Sequence, residues 1–431
     1  MPFEALRGFR DYPAPDAGAR SELRRRMRSV ARRCGFVEVE TPSLESLELL
    51  KAKSGDEIVR QLFEFTDKGG RAVALTPEST PSVARMFIDR AKAEPMPAKW
   101  FTVARLWRYE EPQSGRTREF SQFNLDVFGV PGPAAEVELL ATASLLLDEI
   151  GAQGLYGFRI NDRALAEGLG RGLGVTDPAR YFRALDRFEK APRAESEREL
   201  AAAGVDPEGI DRLGALIAAA SDPAGDPAAV LEAIGARAVG PEAAEGRARL
   251  ETILRLAGRA GLGDRLRLDP SLVRGLAYYT STVFEAFDRA GDLRSLFGGG
   301  RYDRLVETLG GPPTPACGLA VGDQTLELLL RQGGRWPDGE PPLDTYVVAV
   351  TEAEAPEATE WVQRLRRAGV SADGDLLGRS LSRQLKEAAR RKARRALILG
   401  PRERAKGTVV ERDLTTGAQT ERPSSEVLPP A

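Results

Sequence analysis

Three arginines lie close together in this chain, at Arg108, Arg116 and Arg118. Because a guanidinium is planar, it can hold a phosphate or a carboxylate through two parallel hydrogen bonds. Gln122 and Asp126 follow soon after and offer an amide and a carboxylate to a small polar ligand. These residue types predict a site for a polyanion beside a site for a small polar molecule. An ordinary hairpin with a solvated, charged loop is the alternative that the same residues allow.

A β-hairpin would position these side chains. Apolar residues crowd positions 103–107 and recur at alternate positions after the loop, which is typical of two strands. The polar segment 111–119 between them contains a proline and a glycine, as a long hairpin loop does. Since side chains alternate along a strand, Gln122, Asn124 and Asp126 should share one face.

The composition excludes several classes of protein. The 431 residues are 42% hydrophobic and 29% charged with a net charge of −2, which predicts a soluble protein of two or three domains. No apolar run has the length of a membrane span and no signal peptide is visible, so we expect a cytoplasmic protein without a membrane partner. The chain contains no histidine, which excludes imidazole catalysis. Cys34 and Cys317 form no metal-binding spacing, so we expect reduced thiols and no metal held by the protein.

Changes of pattern along the chain predict its organisation. An amphipathic helix is expected from about residue 15 to residue 34. Residues 163–263 are rich in Ala, Arg and Glu, which predicts a helical insertion. A linker rich in Gly and Pro, at 333–342, precedes alternating strand and helix patterns in 343–431, which predict a small α/β domain with a mainly parallel sheet.

The order of motifs resembles a known family. Residues 103–129 resemble motif 2 of the class II aminoacyl-tRNA synthetases, in the form that histidyl-tRNA synthetases have. Residues 272–285, which read LVRGLAYYTSTVFE, resemble the more specific histidine motif, and the GGGRYD sequence at 298–303 agrees. The helix and strand near the N-terminus resemble motif 1, and residues 317–330 resemble motif 3. With this order of elements the resemblance covers nearly the whole chain.

The resemblance implies a fold and its domains. The expected fold class is α/β (α+β), with a class II catalytic domain on an antiparallel sheet, a helical insertion and a C-terminal α/β anticodon-binding domain. The implied boundaries are a catalytic core with motifs 1 and 2 at 1–162, the insertion at 163–263, the continued core with the histidine motif and motif 3 at 264–332, and the anticodon-binding domain at 343–431. Motif 1 further implies a homodimer.

The resemblance also implies a reaction and its residues. ATP would activate L-histidine to histidyl-adenylate, and the histidyl group would pass to tRNA(His), with Mg²⁺ accompanying ATP. The implied catalytic residues are Arg108 and Arg274, both directed at the α-phosphate. The implied histidine-binding residues are Glu78, Thr80, Arg108, Gln122, Asp126, Arg274, Tyr278 and Tyr279. The implied ATP-binding residues are Arg108, Glu110, Arg116, Phe120 and Arg274, with Phe120 stacked on adenine.

The chain departs from the family pattern in three places. Asp126 stands where glutamate is common, and Ala277 stands where an acidic residue often precedes the two tyrosines. Thr325 stands where motif 3 normally has an arginine directed at the nucleotide. The alternative function is that of a regulatory paralogue, which would bind histidine without charging tRNA. Such paralogues lack the C-terminal domain and lose the histidine motif, and this chain has both.

Overall fold

The computed structural model describes residues 3–53, 60–188, 192–222, 225–273, 279–293, 295–339 and 343–429. The chain forms two compact units, Met1–Pro337 and Asp338–Ala431. Within the described residues, none of the helices combines the length and the apolar character that crossing a bilayer requires.

An eight-stranded sheet is the centre of the first unit. The strands of this unit are β1 (Val37–Glu38), β2 (Leu44–Ser46), β3 (Phe63–Thr66), β4 (Ala72–Leu75), β5 (Ala98–Trp107), β6 (Glu119–Phe128), β7 (Tyr156–Asp162), β8 (Leu266–Leu268), β9 (Thr282–Asp288), β10 (Ser295–Arg301) and β11 (Ala316–Gly322). The large sheet has the order β1-β5-β6-β11-β10-β9-β7-β8, and its neighbours are antiparallel except for β1 with β5 and β7 with β8. The small sheet β2-β4-β3 was not predicted.

Helices cover both faces of the large sheet. The helices of the first unit are α1 (Asp16–Arg33), α2 (Leu47–Lys53), α3 (Thr80–Arg90), α4 (Ala134–Glu149), α5 (Arg163–Gly172), α6 (Pro178–Arg187), α7 (Arg193–Ala202), α8 (Pro207–Ser221), α9 (Pro227–Gly235), α10 (Pro241–Arg259), α11 (Leu305–Thr308) and α12 (Asp323–Gln332). α1 and α4 pack on one face, where Phe101 and Leu125 point into the main core. α3 packs on the other face against Trp100 and Phe128. The second face holds the predicted site residues, because Gln122 and Asp126 alternate with Leu125.

Residues 163–259 form consecutive helices, and their starts can be read from the sequence. Asp162, Asp177, Asp206 and Asp226 each precede a helix and accept a hydrogen bond from a backbone N–H of its first turn. A proline occupies the first turn of α6, α8 and α9, where its missing N–H costs nothing. The helices predicted from the Ala, Arg and Glu content of this segment are therefore present, and the aspartates and prolines mark where several of them begin.

The second unit is a five-stranded sheet with helices. Its strands are β12 (Thr345–Ala349), β13 (Ala372–Gly374), β14 (Arg395–Leu399), β15 (Thr408–Asp413) and β16 (Gln419–Pro423), and its helices are α13 (Ala355–Arg367), α14 (Leu381–Arg390), α15 (Pro401–Lys406) and α16 (Ser424–Val427). β12 pairs in parallel with β13 and β14, whereas the pairs β14–β15 and β15–β16 are antiparallel. The prediction of a mainly parallel sheet was therefore wrong. β16 consists of exposed polar residues, which do not produce a strand signal.

Candidate active site

The predicted alternation of polar side chains is present in β6. Gln122, Asn124 and Asp126 are 9%, 1% and 2% exposed, respectively. β6 lies between β5 and β11, and the register places Asn124 between Thr102 and Ala320. Residues that face each other across neighbouring strands point to the same side of a sheet. β11 therefore presents the small residues Gly318, Ala320 and Gly322 beside the polar row.

Asp126 is held by a tyrosine that the sequence analysis did not assign to the site. The hydroxyl of Tyr302 donates a hydrogen bond to Oδ1 of Asp126, and both residues are buried. Gly318 lies opposite Asp126 in β11, and a Cβ atom there would be 2.5 Å from the Tyr302 hydroxyl and 2.6 Å from Asp126 Oδ1. The carboxylate and the hydroxyl thus occupy the space above a glycine. The tyrosine belongs to the GGGRYD motif, which was the available signal.

Tyr279 lies over β10, the strand next to β11, on the same face of the sheet. Gly300 in β10 pairs with Gly318, and a Cβ atom at Gly300 would be 2.8 Å from the ring of Tyr279. The glycines at 298–300 are therefore residues of a central strand. Because two adjacent strands carry glycine here, the side chains of Asp126, Tyr302 and Tyr279 can pack directly on the backbone of the sheet.

Glu78 and Thr80 lie at the start of α3, on the α3 side of the sheet, and both are buried. The chain here is attached to the hairpin, because Arg108 Nε donates to the carbonyl of Pro77 at 3.0 Å. Ser79 occupies the N-cap position of α3 but makes no side-chain cap. The hydroxyl of Ser79 is buried and has no hydrogen-bond partner among the described residues.

Four of the residues expected to bind the nucleotide lie together at the base of the hairpin loop. Glu110 lies 3.3 Å from Arg116 and 4.0 Å from Arg108, measured from nitrogen to oxygen. The guanidinium of Arg108 is 5.3 Å from the centre of the Phe120 ring. The two arginines match the negative charges of a nucleotide's phosphates, and the Phe120 ring matches its flat base. The Glu110 carboxylate lies between the two cations.

Arg118 has a different role from the other two arginines. Its guanidinium stacks on the ring of Tyr109 at 4.0 Å, and its Nε donates to the carbonyl of Glu110 at 3.1 Å. Its backbone N–H donates to the carbonyl of Gly8. Arg118 therefore fixes the loop to the N-terminal segment, and the pair available to a phosphate is Arg108 with Arg116.

Thr325 is integrated into the start of α12. Its hydroxyl donates to the carbonyl of Leu296 at 2.8 Å. Gly115, at the tip of the hairpin loop, has a φ of +75°, and a Cβ atom there would lie 3.1 Å from Leu328 and 3.7 Å from the methyl group of Thr325. The loop tip thus packs on the helix turn from which the family's arginine would extend.

A buried ion cluster holds the same helix turn, and sequence reasoning missed it. Arg20 of α1 is buried, stacks on the ring of Tyr12 at 3.9 Å, and donates to Glu327 at 2.7 Å and to Asp323. Burial raises the pKa of the Asp323 carboxyl, and the charge of Arg20 opposes that shift. The cluster ties α1 to α12 beneath the hairpin.

Two predicted site residues, Arg274 and Tyr278, and the departure at Ala277 lie outside the described residues. Among the residues that are described, no group of three or more Cys, Asp or Glu could hold a metal ion. A Mg²⁺ ion that arrives on ATP needs no such cage, since phosphate oxygens and water supply most of its ligands.

The family models and the similar proteins agree on one family. The family model described as "Histidyl-tRNA synthetase" matches residues 8–326, and the one described as "Anticodon binding domain" matches residues 344–429. The histidine–tRNA ligase of Halobacterium salinarum is 40% identical over 424 residues, which cover 98% of this chain and 96% of that protein. The ligase of Opitutus terrae is 42% identical over 436 residues, covering 99% of this chain and 97% of that protein.

Solved structures share the fold. A histidyl-tRNA synthetase from Nostoc sp. PCC 7120 superposes with a TM-score of 0.84 at 24% identity, covering 99% of this chain and 98% of that one. A protein from Bacillus halodurans described as an ATP phosphoribosyltransferase regulatory subunit/histidyl-tRNA synthetase has a TM-score of 0.75 at 21% identity, covering 93% and 99%. At these identities the likeness concerns the fold alone.

Proposed function

The chain belongs to the histidyl-tRNA synthetase family, and we propose that it activates L-histidine with ATP and transfers the histidyl group to tRNA(His). One observation carries the proposal: a buried polar face ending in Asp126 lies beside a loop that joins Arg108, Arg116 and Phe120. The regulatory alternative is disfavoured, because the curated ligases match over nearly their full length and the anticodon-binding family matches the C-terminal unit.

The amino-acid site would recognise histidine at both ends. Glu78 and Gln122 would bind the α-ammonium group, Thr80 would line the pocket beside them, and Asp126 would accept the imidazole N–H. The hydroxyl of Tyr302 fixes the orientation of that carboxylate. A buried carboxylate discriminates strongly, because a side chain without the N–H leaves it unpaired. Tyr279, over Gly300, and Tyr278 would close the pocket beside the imidazole ring.

Activation would proceed by displacement at the α-phosphate. A carboxylate oxygen of histidine attacks the phosphorus, and the bond to the bridging oxygen breaks as pyrophosphate leaves with the electron pair. Arg108 would bridge the carboxylate and the α-phosphate, and Arg274 would approach from the other side. Fixed cations stabilise the developing charge without any proton transfer, which suits a chain that has no histidine.

The nucleotide would lie along the hairpin loop. Phe120 would stack on adenine, Glu110 would position the nucleotide, and Arg116 would contact the outer phosphates. Mg²⁺ would accompany ATP, and Glu110 offers a carboxylate at the position where those phosphates would lie. Such an ion neutralises phosphate charge.

Transfer would bring the end of the tRNA to the adenylate. Its terminal ribose hydroxyl attacks the carbonyl carbon of histidyl-adenylate, and AMP leaves. A cavity of about 410 Å³ lies between α6 and the segment around Tyr279, and its lining includes Phe182, Arg183 and Arg187. We propose that the helical insertion, 163–263, guides the acceptor arm past this cavity.

The proposed roles divide the chain into a catalytic core and an anticodon-binding domain. The catalytic core would be 1–162 together with 264–332, and 343–431 would bind the anticodon. Within the C-terminal unit, Arg383 and Lys386 of α14 lie on an exposed face, which suits RNA phosphates.

A homodimer is supported by Val37, which is 61% exposed on the short edge strand β1. The enzyme would act in the cytoplasm, where it would meet a tRNA substrate.

Amino-acid-dependent ATP–pyrophosphate exchange tests the proposal. The full chain, ATP with Mg²⁺ and each amino acid in turn should give exchange with histidine alone. Exchange with another amino acid would contradict the pocket assignment. Binding of histidine without exchange, at saturating ATP, would support the regulatory alternative instead.

A further inference from the structure

We propose that Asn124 is a substrate-binding residue whose side-chain oxygen accepts a hydrogen bond from the α-ammonium group of histidine. The inference rests on the proposed function and adds a residue to its amino-acid site. Asn124 lies on β6 between the two assigned residues Gln122 and Asp126, and it is 1% exposed.

The side-chain oxygen of Asn124 is buried without a hydrogen-bond partner among the described residues. Within the same part of the chain, this is also true of Oε1 of Gln122 and of the Thr102 hydroxyl directly opposite. A buried acceptor without a partner costs free energy comparable to a lost hydrogen bond. Three such atoms on neighbouring positions of two paired strands, on one face of the sheet, therefore indicate a place that is completed by a ligand.

A second buried asparagine of the same sheet shows the contrast. Asn161 on β7 is also 1% exposed, but its Nδ2 donates to the carbonyls of Pro270 and Leu272 at 3.3 and 3.2 Å. Asn161 thus holds a chain segment in place, as a structural asparagine does. Asn124 holds no described segment in this way, so a structural role does not explain its burial.

Geometry and chemistry select the α-ammonium group. Residues two apart on a strand are separated by about 6.6–6.8 Å, so Asn124 lies midway along the row that would receive the substrate. If Asp126 binds the imidazole, the polar group of histidine that comes next along the row is the ammonium. An ammonium presents three N–H donors and needs acceptors in different directions. The amide oxygens of Gln122 and Asn124 approach it from the sheet.

The test compares Asn124→Ala with Asn161→Ala in the full chain. Since Asn124 has no described partner to lose, Asn124→Ala should keep the wild-type Tm, whereas Asn161→Ala should lower it. In pyrophosphate exchange, Asn124→Ala should raise the KM for histidine roughly 10- to 100-fold, the range for a hydrogen bond to a charged group. The KM for ATP and kcat should change little, because uniform binding is what is lost.

A substrate analogue locates the contact. 3-(Imidazol-4-yl)propanoate lacks the α-ammonium group, so its Ki as an inhibitor of exchange should be the same for wild type and Asn124→Ala. An equal rise of this Ki and of the histidine KM would overturn the assignment to the ammonium group. An unchanged histidine KM would overturn the inference as a whole. A wild-type chain with no histidine-dependent exchange would instead contradict the proposed function.

Discussion

Gly318→Ala is expected to damage the histidine pocket through one added methyl group. The new Cβ atom would lie 2.5 Å from the Tyr302 hydroxyl, 2.6 Å from Asp126 Oδ1 and 2.8 Å from the carbonyl of Leu125. Atoms around a Cβ keep at least 3.0 Å, so the hydroxyl must move by about 0.5 Å and the carboxylate by about 0.4 Å. The Leu125 carbonyl belongs to the backbone of a paired strand, so rotation of a side chain cannot relieve its contact with the new Cβ atom.

Two magnitudes follow from these displacements. Overpacking of this kind costs about 1–3 kcal/mol, which should lower Tm by several degrees. A misplacement near 1 Å can reduce catalysis on the order of 10²-fold, so a shift of half that size should lower kcat/KM for histidine roughly tenfold. Because the displaced groups bind the substrate, we expect this loss in the KM for histidine. The KM for ATP should stay close to its wild-type value, because the nucleotide residues lie at the hairpin loop.

The assay is pyrophosphate exchange at varied histidine, with thermal unfolding of the same samples. Gly258→Ala is the control, because a Cβ atom there meets nothing within 4 Å and the residue lies near the end of helix α10. The control should keep its histidine KM and gain up to about 1 kcal/mol of stability. If Gly318→Ala keeps both Tm and the histidine KM, the close packing of Tyr302 and Asp126 on Gly318 is wrong.

Three other perturbations test other parts of the site. Arg274→Ala should reduce exchange on the order of 10²–10³-fold with little change in Tm, and near-normal exchange would remove its assigned role. A chain truncated before residue 343 should keep exchange and lose most tRNA charging, whereas a folded truncation without exchange would refute that division. The wild type, with Thr325 in place of arginine, should show a high KM for ATP but normal turnover. Thr325→Arg should lower the KM for ATP in an ATP titration, although it gives up the bond to Leu296 and must extend past Gly115. An unchanged KM for ATP would show that the arginine position is not needed here.

Much of the site could be predicted because it depends on local sequence. The period of two in β6 placed Gln122, Asn124 and Asp126 on one face, as the strand register confirms. The amphipathic helix predicted for 15–34 is present at Asp16–Arg33. In both cases residues close in sequence contain the whole signal.

The contacts that complete the site join residues far apart in sequence. Tyr302 donates to Asp126 across 176 positions, and Arg20 reaches Glu327 across 307. The GGGRYD motif could have indicated Tyr302 as a candidate residue, but no sequence period gives its partner, because the pair depends on which strands become neighbours. The glycines at 298–300 are ambiguous for the same reason. Glycine is common in turns, and only the central place of β10 in the sheet explains why a strand carries them here.

The mixed sheet of the C-terminal unit illustrates a different limit. Alternating strands and helices favour parallel pairing, and β12, β13 and β14 follow that rule. β15 and β16 form an antiparallel hairpin, and β16 is mostly exposed and polar, so its pairing comes from the turn before it rather than from a hydrophobic pattern.

Charging of tRNA(His) with labelled histidine by the full, unmodified chain tests the central claim most directly. With saturating ATP and Mg²⁺, the enzyme should produce acid-precipitable histidyl-tRNA, and omission of ATP or replacement of tRNA(His) by another tRNA should abolish it. A folded chain that binds histidine but forms neither histidyl-adenylate nor histidyl-tRNA at any ATP concentration would contradict the account.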